Sequence, residues 1–202
     1  MILWAMGCLP VPYVAPPVDM TAALDPRPVE LPDGETSWPA GGTFRVGIAP
    51  LAMLEELQDR TVDPSAGFVA DLHSGARGER WELGGYARVA LRPRPLQPGG
   101  GARGLIEPRV TAELVTDDQQ RLGGGLIAGV AFRYAGWNHS DGKATIDLNG
   151  GFIGVSHGEW GVAFTVDVGA RYLTSGSMDP VLLFGVEVRA PAAAGLLLVP
   201  IF

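Results

Sequence analysis

The chain has 202 residues, of which 47% are hydrophobic and only 18% are charged, with 29 glycines and 17 prolines. Its hydrophobic content excludes a highly solvated, disordered chain, and its formal net charge of −7 argues against a nucleic-acid partner, which requires a basic face. No apolar run approaches the ~18 residues of a membrane-spanning helix. The length suits one domain with its own core.

The N-terminal segment, residues 1–42, is rich in proline and poor in glycine. It holds eight of the prolines but only four of the glycines, which predicts a linker or tether before a folded domain at 43–202. Cys8 is the only cysteine, so an intramolecular disulfide is impossible. Apolar residues followed by Gly7 precede Cys8, and this stretch resembles the end of a bacterial lipoprotein signal. The resemblance implies lipidation of Cys8; the alternative is an unmodified cysteine.

One short segment has a helical pattern. Within residues 51–60, Met53, Leu54 and Leu57 share one face of a helix. We expect a short helix there, in a loop.

Most of the remaining sequence alternates between apolar and polar residues, which is typical of strands. In residues 160–172, for example, Trp160, Phe164 and Tyr172 fall on one face and Asp167 on the other. The predicted strands are 43–50, 64–73, 81–92, 104–116, 122–137, 143–156, 160–172 and 180–190. An even number of antiparallel strands can close into a ring without free edges. We therefore predict an all-β fold, a single antiparallel up-and-down β-barrel of about eight strands after a Pro-rich N-terminal tether.

Charged side chains fall on one face within each predicted strand. An eight-stranded barrel has room in its lumen only for small side chains and paired charges. Because buried charges need partners, we expect ion pairs inside the barrel. The candidates for these lumen ion pairs are Glu82, Arg88, Glu107, Arg109, Glu113, Arg133, Asp167 and Arg171.

Strand length and aromatic positions favour an apolar face directed towards lipid. Several strands have the ~9–11 residues that cross a bilayer obliquely. Trp81 and Trp160 both begin odd-numbered predicted strands and would share one rim, whereas Tyr172 would mark the other. The predicted loops on one side are longer than the turns on the other, which suits a barrel with both termini on the short-turn, periplasmic side.

These patterns resemble the small outer-membrane β-barrels of Gram-negative bacteria, of the outer membrane protein A or W type. Phe202, preceded by Pro200, Leu198 and Leu196, matches the alternating apolar C-terminus of such proteins. The resemblance implies a bacterial outer-membrane protein in contact with membrane lipid, with a structural, adhesive or narrow-pore role and no cofactor.

A second hypothesis places the apolar faces inside a soluble periplasmic barrel that is lipid-anchored through Cys8 and binds a small lipophilic ligand. It predicts a cavity lined by Phe164, Val166, Val89 and Val110. The membrane and soluble barrels share the same alternation, so both alternatives stay open at this point.

Catalytic and metal sites find little support in the sequence. Ser156, His157 and Glu159 are of the types found in hydrolases, and a third hypothesis is a membrane enzyme acting on lipid at the rim through His157. Residues so close in sequence rarely reach triad geometry, so we predict no catalytic residue and no enzymatic activity. His73 and His139 lack metal-ligand spacing to partners, and we predict no metal site.

Overall fold

The computed structural model describes most of the strands and part of the connections. The described residues are 8–30, 33–38, 41–48, 61–73, 80–94, 96, 101–117, 120–139, 145–147, 152–174, 176 and 178–200. The helix predicted at 51–60 and the C-terminal Phe202 lie outside them. In the part of the chain that is described, no helix is long and apolar enough to span a membrane.

Thirteen strands account for the regular structure of the described residues. They are β1 Cys8–Ala15, β2 Val18–Asp25, β3 Val29–Glu30, β4 Thr36–Ser37, β5 Gly41–Ile48, β6 Val62–His73, β7 Arg80–Leu91, β8 Arg103–Asp117, β9 Leu122–His139, β10 Thr145–Asp147, β11 Phe152–Leu173, β12 Met178–Ala190 and β13 Ala192–Pro200.

Eight of the strands form a closed antiparallel barrel. Around the ring the order is β2, β5, β6, β7, β8, β9, β11 and β12, and β12 pairs with β2 to close it. The predicted all-β, up-and-down barrel of eight strands is confirmed. Following the register once around the ring leads back to β2 about ten residues from the start, a stagger that accompanies strands tilted by roughly 40°.

The eight barrel strands differ from the eight that were predicted. β2 lies within the segment expected to be a tether, yet it pairs with both β12 and β5. The barrel therefore begins at residue 18 rather than 43. The predicted strand 143–156 is not a barrel strand, because β10 and the first residues of β11 pair with each other beyond the barrel wall.

Four strands continue past one rim as a sheet, which we call the terminal sheet. Its order is β10, β11, β13, β1, and it contains β1, β10, β13 and residues 152–157 of β11. Cys8 is thus the first residue of a paired strand, opposite Pro200.

Strand β11 has a bulge where its pairing changes from β12 to β13, because it carries one extra residue between the two ladders. Gly158, at a φ of +123°, lies in this bulge, where a residue with a side chain would be strained.

The loops and aromatic residues at the two rims of the barrel are arranged differently from the prediction. The terminal rim, at Val18 and Ala190, carries the chain ends and the connections 49–61, 92–102 and 140–151. The distal rim, at Asp25 and Met178, carries the connection 26–40 and the three short ones, 74–79, 118–121 and 174–177. The termini therefore lie at the rim opposite the three short turns. Trp81 lies at the distal rim with Tyr172, and Trp160 lies at the terminal rim. The two tryptophans are at opposite rims because β11 follows β9 directly in the barrel, without the strand predicted at 143–156 between them.

The barrel wall is apolar outside and charged inside. Among the residues of the eight barrel strands whose exposure the structure describes, no charged residue faces outward. Phe164, Val110 and Val89 are 68%, 52% and 45% exposed on the outer surface, and Val166 alternates with the buried Thr165 and Asp167. The prediction that these residues line an inner cavity is therefore wrong.

A tyrosine packed over a glycine shows how tightly the lumen is filled. Tyr86 is buried, and a Cβ atom on Gly47 would overlap its hydroxyl oxygen and lie 3.1 Å from Cζ. The guanidinium carbons of Arg45 and Arg88 lie 4.7 and 6.0 Å from the centre of the Tyr86 ring. A side chain at position 47 would have to displace this stack.

We therefore expect Gly47→Ala to lower the free energy of unfolding by about 1–3 kcal/mol through overpacking. Urea titration of tryptophan fluorescence in detergent micelles measures this. Gly104→Ala is the matched control, because nothing lies within 4 Å of a Cβ atom at Gly104. Equal stability of the two variants would contradict the packing of Tyr86 on Gly47.

Candidate functional site

The lumen collects the buried charges of the described residues. The alternation of the strands directs every second side chain inward, and small residues between the charged ones leave them room. Seven arginines and ten carboxylates are buried. They are Arg45, Arg88, Arg92, Arg109, Arg133, Arg171, Arg189, Asp19, Asp25, Asp63, Asp71, Glu82, Glu107, Glu113, Glu159, Asp167 and Glu187.

Glu187 on β12 is the centre of this arrangement and has 0% exposure. Arg88 Nη1 lies 2.5 Å and Arg109 Nη1 2.8 Å from its Oε2, and Arg133 Nη2 donates to its Oε1. Thr21 Oγ1 donates to Oε2 at 3.2 Å. Side chains from β2, β7, β8 and β9 thus meet on one carboxylate from β12, and they join five of the eight strands across the barrel.

A larger network extends from Glu187 to the terminal rim. Arg189 contacts Asp19 at 2.5 Å and Asp63 at 2.6 Å, so it links β12 to β2 and β6. Arg109 pairs with Asp167 through two hydrogen bonds of 2.9 and 2.5 Å. Further ion pairs of this network are Arg88–Asp19, Arg92–Asp63, Arg92–Glu107, Arg92–Glu159, Arg133–Glu107, Arg133–Glu159 and Arg189–Glu159.

A smaller network lies towards the distal rim. Arg171 Nη1 is 2.6 Å from Asp71 and 3.1 Å from Glu82, and its Nε donates to Glu113. Arg45 Nη2 donates to the other oxygen of Glu113 at 3.0 Å. The guanidinium group of Arg45 stacks on the ring of Tyr86, and Arg88 of the larger network lies near the same ring. The ring of Tyr86 therefore lies between the two networks.

Apolar side chains cover the larger network on both sides. Leu96, Leu105, Ala135 and Trp137 form a buried cluster at the terminal rim, and Leu96 reaches it from the β7–β8 connection with 2% exposure. A second buried cluster, on the distal side of Glu187, consists of Ala23, Ile127, Val181 and Leu183. Burial between apolar layers strengthens ion pairs and also makes an unpaired charge costly.

At the distal rim, Arg27 and Asp25 form a pair between β2 and β3. Arg27 Nε lies 2.9 Å from both Asp25 oxygens, and the Arg27 backbone N–H donates to Oδ1 at 3.0 Å. The side-chain hydrogen bond to Asp25 raises the pKa of Arg27 above its usual value. Arg27 therefore stays charged at every physiological pH.

All eight residues predicted as lumen ion-pair candidates are buried in the lumen, and each takes part in at least one of these ion pairs. The central residue, Glu187, was absent from that set, although its alternation with Arg189 could have indicated it. Asp19 was missed because it lies in the segment interpreted as a tether.

The residues of the catalytic hypothesis are not assembled into a triad by the described contacts. Glu159 is bound to Arg92 at 2.7 Å and to Arg189 at 3.2 Å. The backbone register places Ser156 opposite Ala193, and His157 opposite His139 on β9. Among the residues whose side chains are described, no group of three or more potential ligands is arranged to hold a metal ion.

Comparison with known proteins gives no match. No family model matches the sequence, no curated protein is significantly similar to it, and no solved structure matches it at a significant level. The functional argument therefore depends on the barrel itself.

Replacing the central carboxylate tests the lumen network. We expect Glu187→Gln to lower the free energy of unfolding by about 3–5 kcal/mol, because three buried guanidinium groups lose a shared charge. Urea unfolding in micelles measures the change. Glu30→Gln, at an exposed position of β3, is the control and should leave stability unchanged; a Glu187 variant as stable as this control would show that the network does not hold the barrel together.

Proposed function

We propose that this protein is a bacterial outer-membrane β-barrel whose apolar wall contacts lipid and whose closed, charged lumen gives it a structural or adhesive role. The observation that carries this proposal is the uncharged outer surface of the barrel. We infer a non-enzymatic protein that needs no cofactor.

The outer surface is unlike that of a water-soluble protein. Phe68, Phe164 and Leu114 are 71%, 68% and 63% exposed, on strands from different sides of the ring. Soluble monomers rarely expose a continuous apolar patch above a few hundred Å². Here the outward-facing described residues are uncharged around the whole circumference, which supports a lipid environment.

The height of the apolar belt also supports a bilayer. Trp160 and Tyr172 lie 12 residues apart on β11, which at ~3.3 Å per residue and a tilt of roughly 40° separates them by about 30 Å along the barrel axis. The hydrocarbon layer of a bilayer is about 30 Å thick. Tyr134 packs edge to face on Trp160, with ring centres 6.3 Å apart, and Trp81 accompanies Tyr172 at the other rim. Aromatic residues at both interfaces are typical of membrane barrels.

The filled lumen favours a structural or adhesive role over a pore. Glu187 is 0% and Glu107 is 1% exposed, so no water-sized path passes either carboxylate. Ion transport would require several buried ion pairs to break together, which is costly. A barrel of this kind presents its connections to the surroundings while its wall stays anchored in lipid.

Lipidation of Cys8 is a separate proposal. Cys8 begins β1 at the far end of the terminal sheet, so a lipid on it would be attached to folded structure rather than to a free tether. Mass spectrometry of the protein isolated from membranes tests this proposal independently of the barrel.

Arginine substitution at two heights of the wall tests the lipid contact. Val166 lies halfway between Trp160 and Tyr172. We expect Val166→Arg to destabilise the protein folded in vesicles by about 2–4 kcal/mol. Met178 begins β12 at the distal rim and is exposed, so Met178→Arg should cost only about 0–1 kcal/mol.

Urea-dependent folding into phosphatidylcholine vesicles measures both variants. Equal effects at the two positions would overturn the proposal, because an arginine on a water-facing wall is insensitive to its height.

A further inference from the structure

The seam of the barrel, where the first and last barrel strands meet, is short. β2 and β12 pair over residues 18–24 and 184–190, which is seven residue pairs. The neighbouring β9 and β11 pair over 17. The ladder between β5 and β6 also has seven pairs, but those two strands follow each other in the chain, whereas β2 and β12 are far apart in sequence. The seam is therefore the short ladder at which we expect the barrel to open most readily.

Beyond the terminal rim, β1 and β13 continue the same seam. Cys8–Ala15 pairs with residues 193–200, which adds eight pairs. Ala15 lies opposite Ala193 and Val18 lies opposite Ala190, so the chain advances by three residues on each side between the two ladders. The ladder outside the barrel is therefore in register with the ladder inside it.

Proline positions agree with this ladder. Pro10, Pro12 and Pro200 all fall in alternate pairs, with Leu198, Leu196 and Cys8 as their partners. Alternate pairs of an antiparallel ladder exchange no hydrogen bonds, so prolines are tolerated there without loss of a donor. Pro10 and Pro12 also remove N–H groups from the outer edge of β1, which is the last strand of the sheet among the described residues, and this discourages a further strand from adding to it.

We propose that β1 and β13 form a clasp that holds the seam between β2 and β12 closed. The clasp more than doubles the number of paired residues at the seam, and it gives the Pro-rich N-terminal segment a role in the stability of the barrel. This inference rests on the strand register and does not depend on the proposed membrane location.

A cross-link to the single native cysteine tests the clasp. Pro200→Cys places a second cysteine opposite Cys8 in a pair without hydrogen bonds, whose Cα separation of ~4.5 Å lies within the range found for disulfides. The full-length variant, produced without export so that Cys8 keeps its thiol, is refolded in micelles and oxidised. Val199→Cys is the matched control, because Val199 is opposite Leu9 and one residue out of register with Cys8.

We expect Pro200→Cys to cross-link and Val199→Cys to remain reduced. We also expect the cross-linked protein to unfold at a temperature roughly 5–10 °C higher than the same protein after reduction. Absence of the cross-link in folded protein would overturn the register, and a cross-link that leaves the unfolding temperature unchanged would overturn the clasp.

If Pro200→Cys does not fold, a second variant tests another pair of the same ladder. It combines Val14→Cys with Ala194→Cys, which lie opposite each other, in a Cys8→Ser background. The same two results decide the outcome.

Discussion

The burial of Glu187 among three arginines is the interaction on which the rest of the barrel depends. A carboxylate with no exposure to solvent is stable only when its charge is neutralised and its oxygens accept hydrogen bonds, and here the donors come from β2, β7, β8 and β9. The carboxylate therefore ties strands that are far apart in sequence to one point of the lumen. In turn, those arginines can be buried only because the closed ring brings the strands together around Glu187.

This constraint also determines the wall. Since the inward positions hold the charges, the outward positions of the described barrel strands are left apolar, and the molecule has the reverse of a soluble protein's distribution. Long arginine side chains fit into so narrow a ring only where neighbouring positions are small, as at Gly47 beneath Tyr86. A charged interior, a tightly filled lumen and an apolar exterior are thus consequences of one arrangement.

Alternation with a period of two was enough to predict the barrel, most of its strands and eight residues of the lumen networks. The alternation did not identify β2 and misplaced one strand near Gly158. β2 alternates Asp19, Thr21 and Asp25 with apolar residues, but its short length and the prolines on either side of it are typical of a tether. At Gly158 an extra residue changes the alternation, so the start of β11 and the short β10 were interpreted as a separate strand. A topology that lacks β2 and includes this extra strand places the loops and Trp81 at the wrong rims. Pairing of charges between strands depends on register, which no single segment reveals.

The most direct test of the account is whether the purified full-length chain folds in the absence of lipid or detergent. Far-ultraviolet circular dichroism and sedimentation velocity are measured in buffer, and the same sample is then mixed with phosphatidylcholine vesicles. The account predicts aggregation in buffer and a monomeric β-structure that floats with the vesicles. A soluble, folded monomer in buffer that does not associate with vesicles would contradict it, because a wall this apolar would not stay dispersed in water.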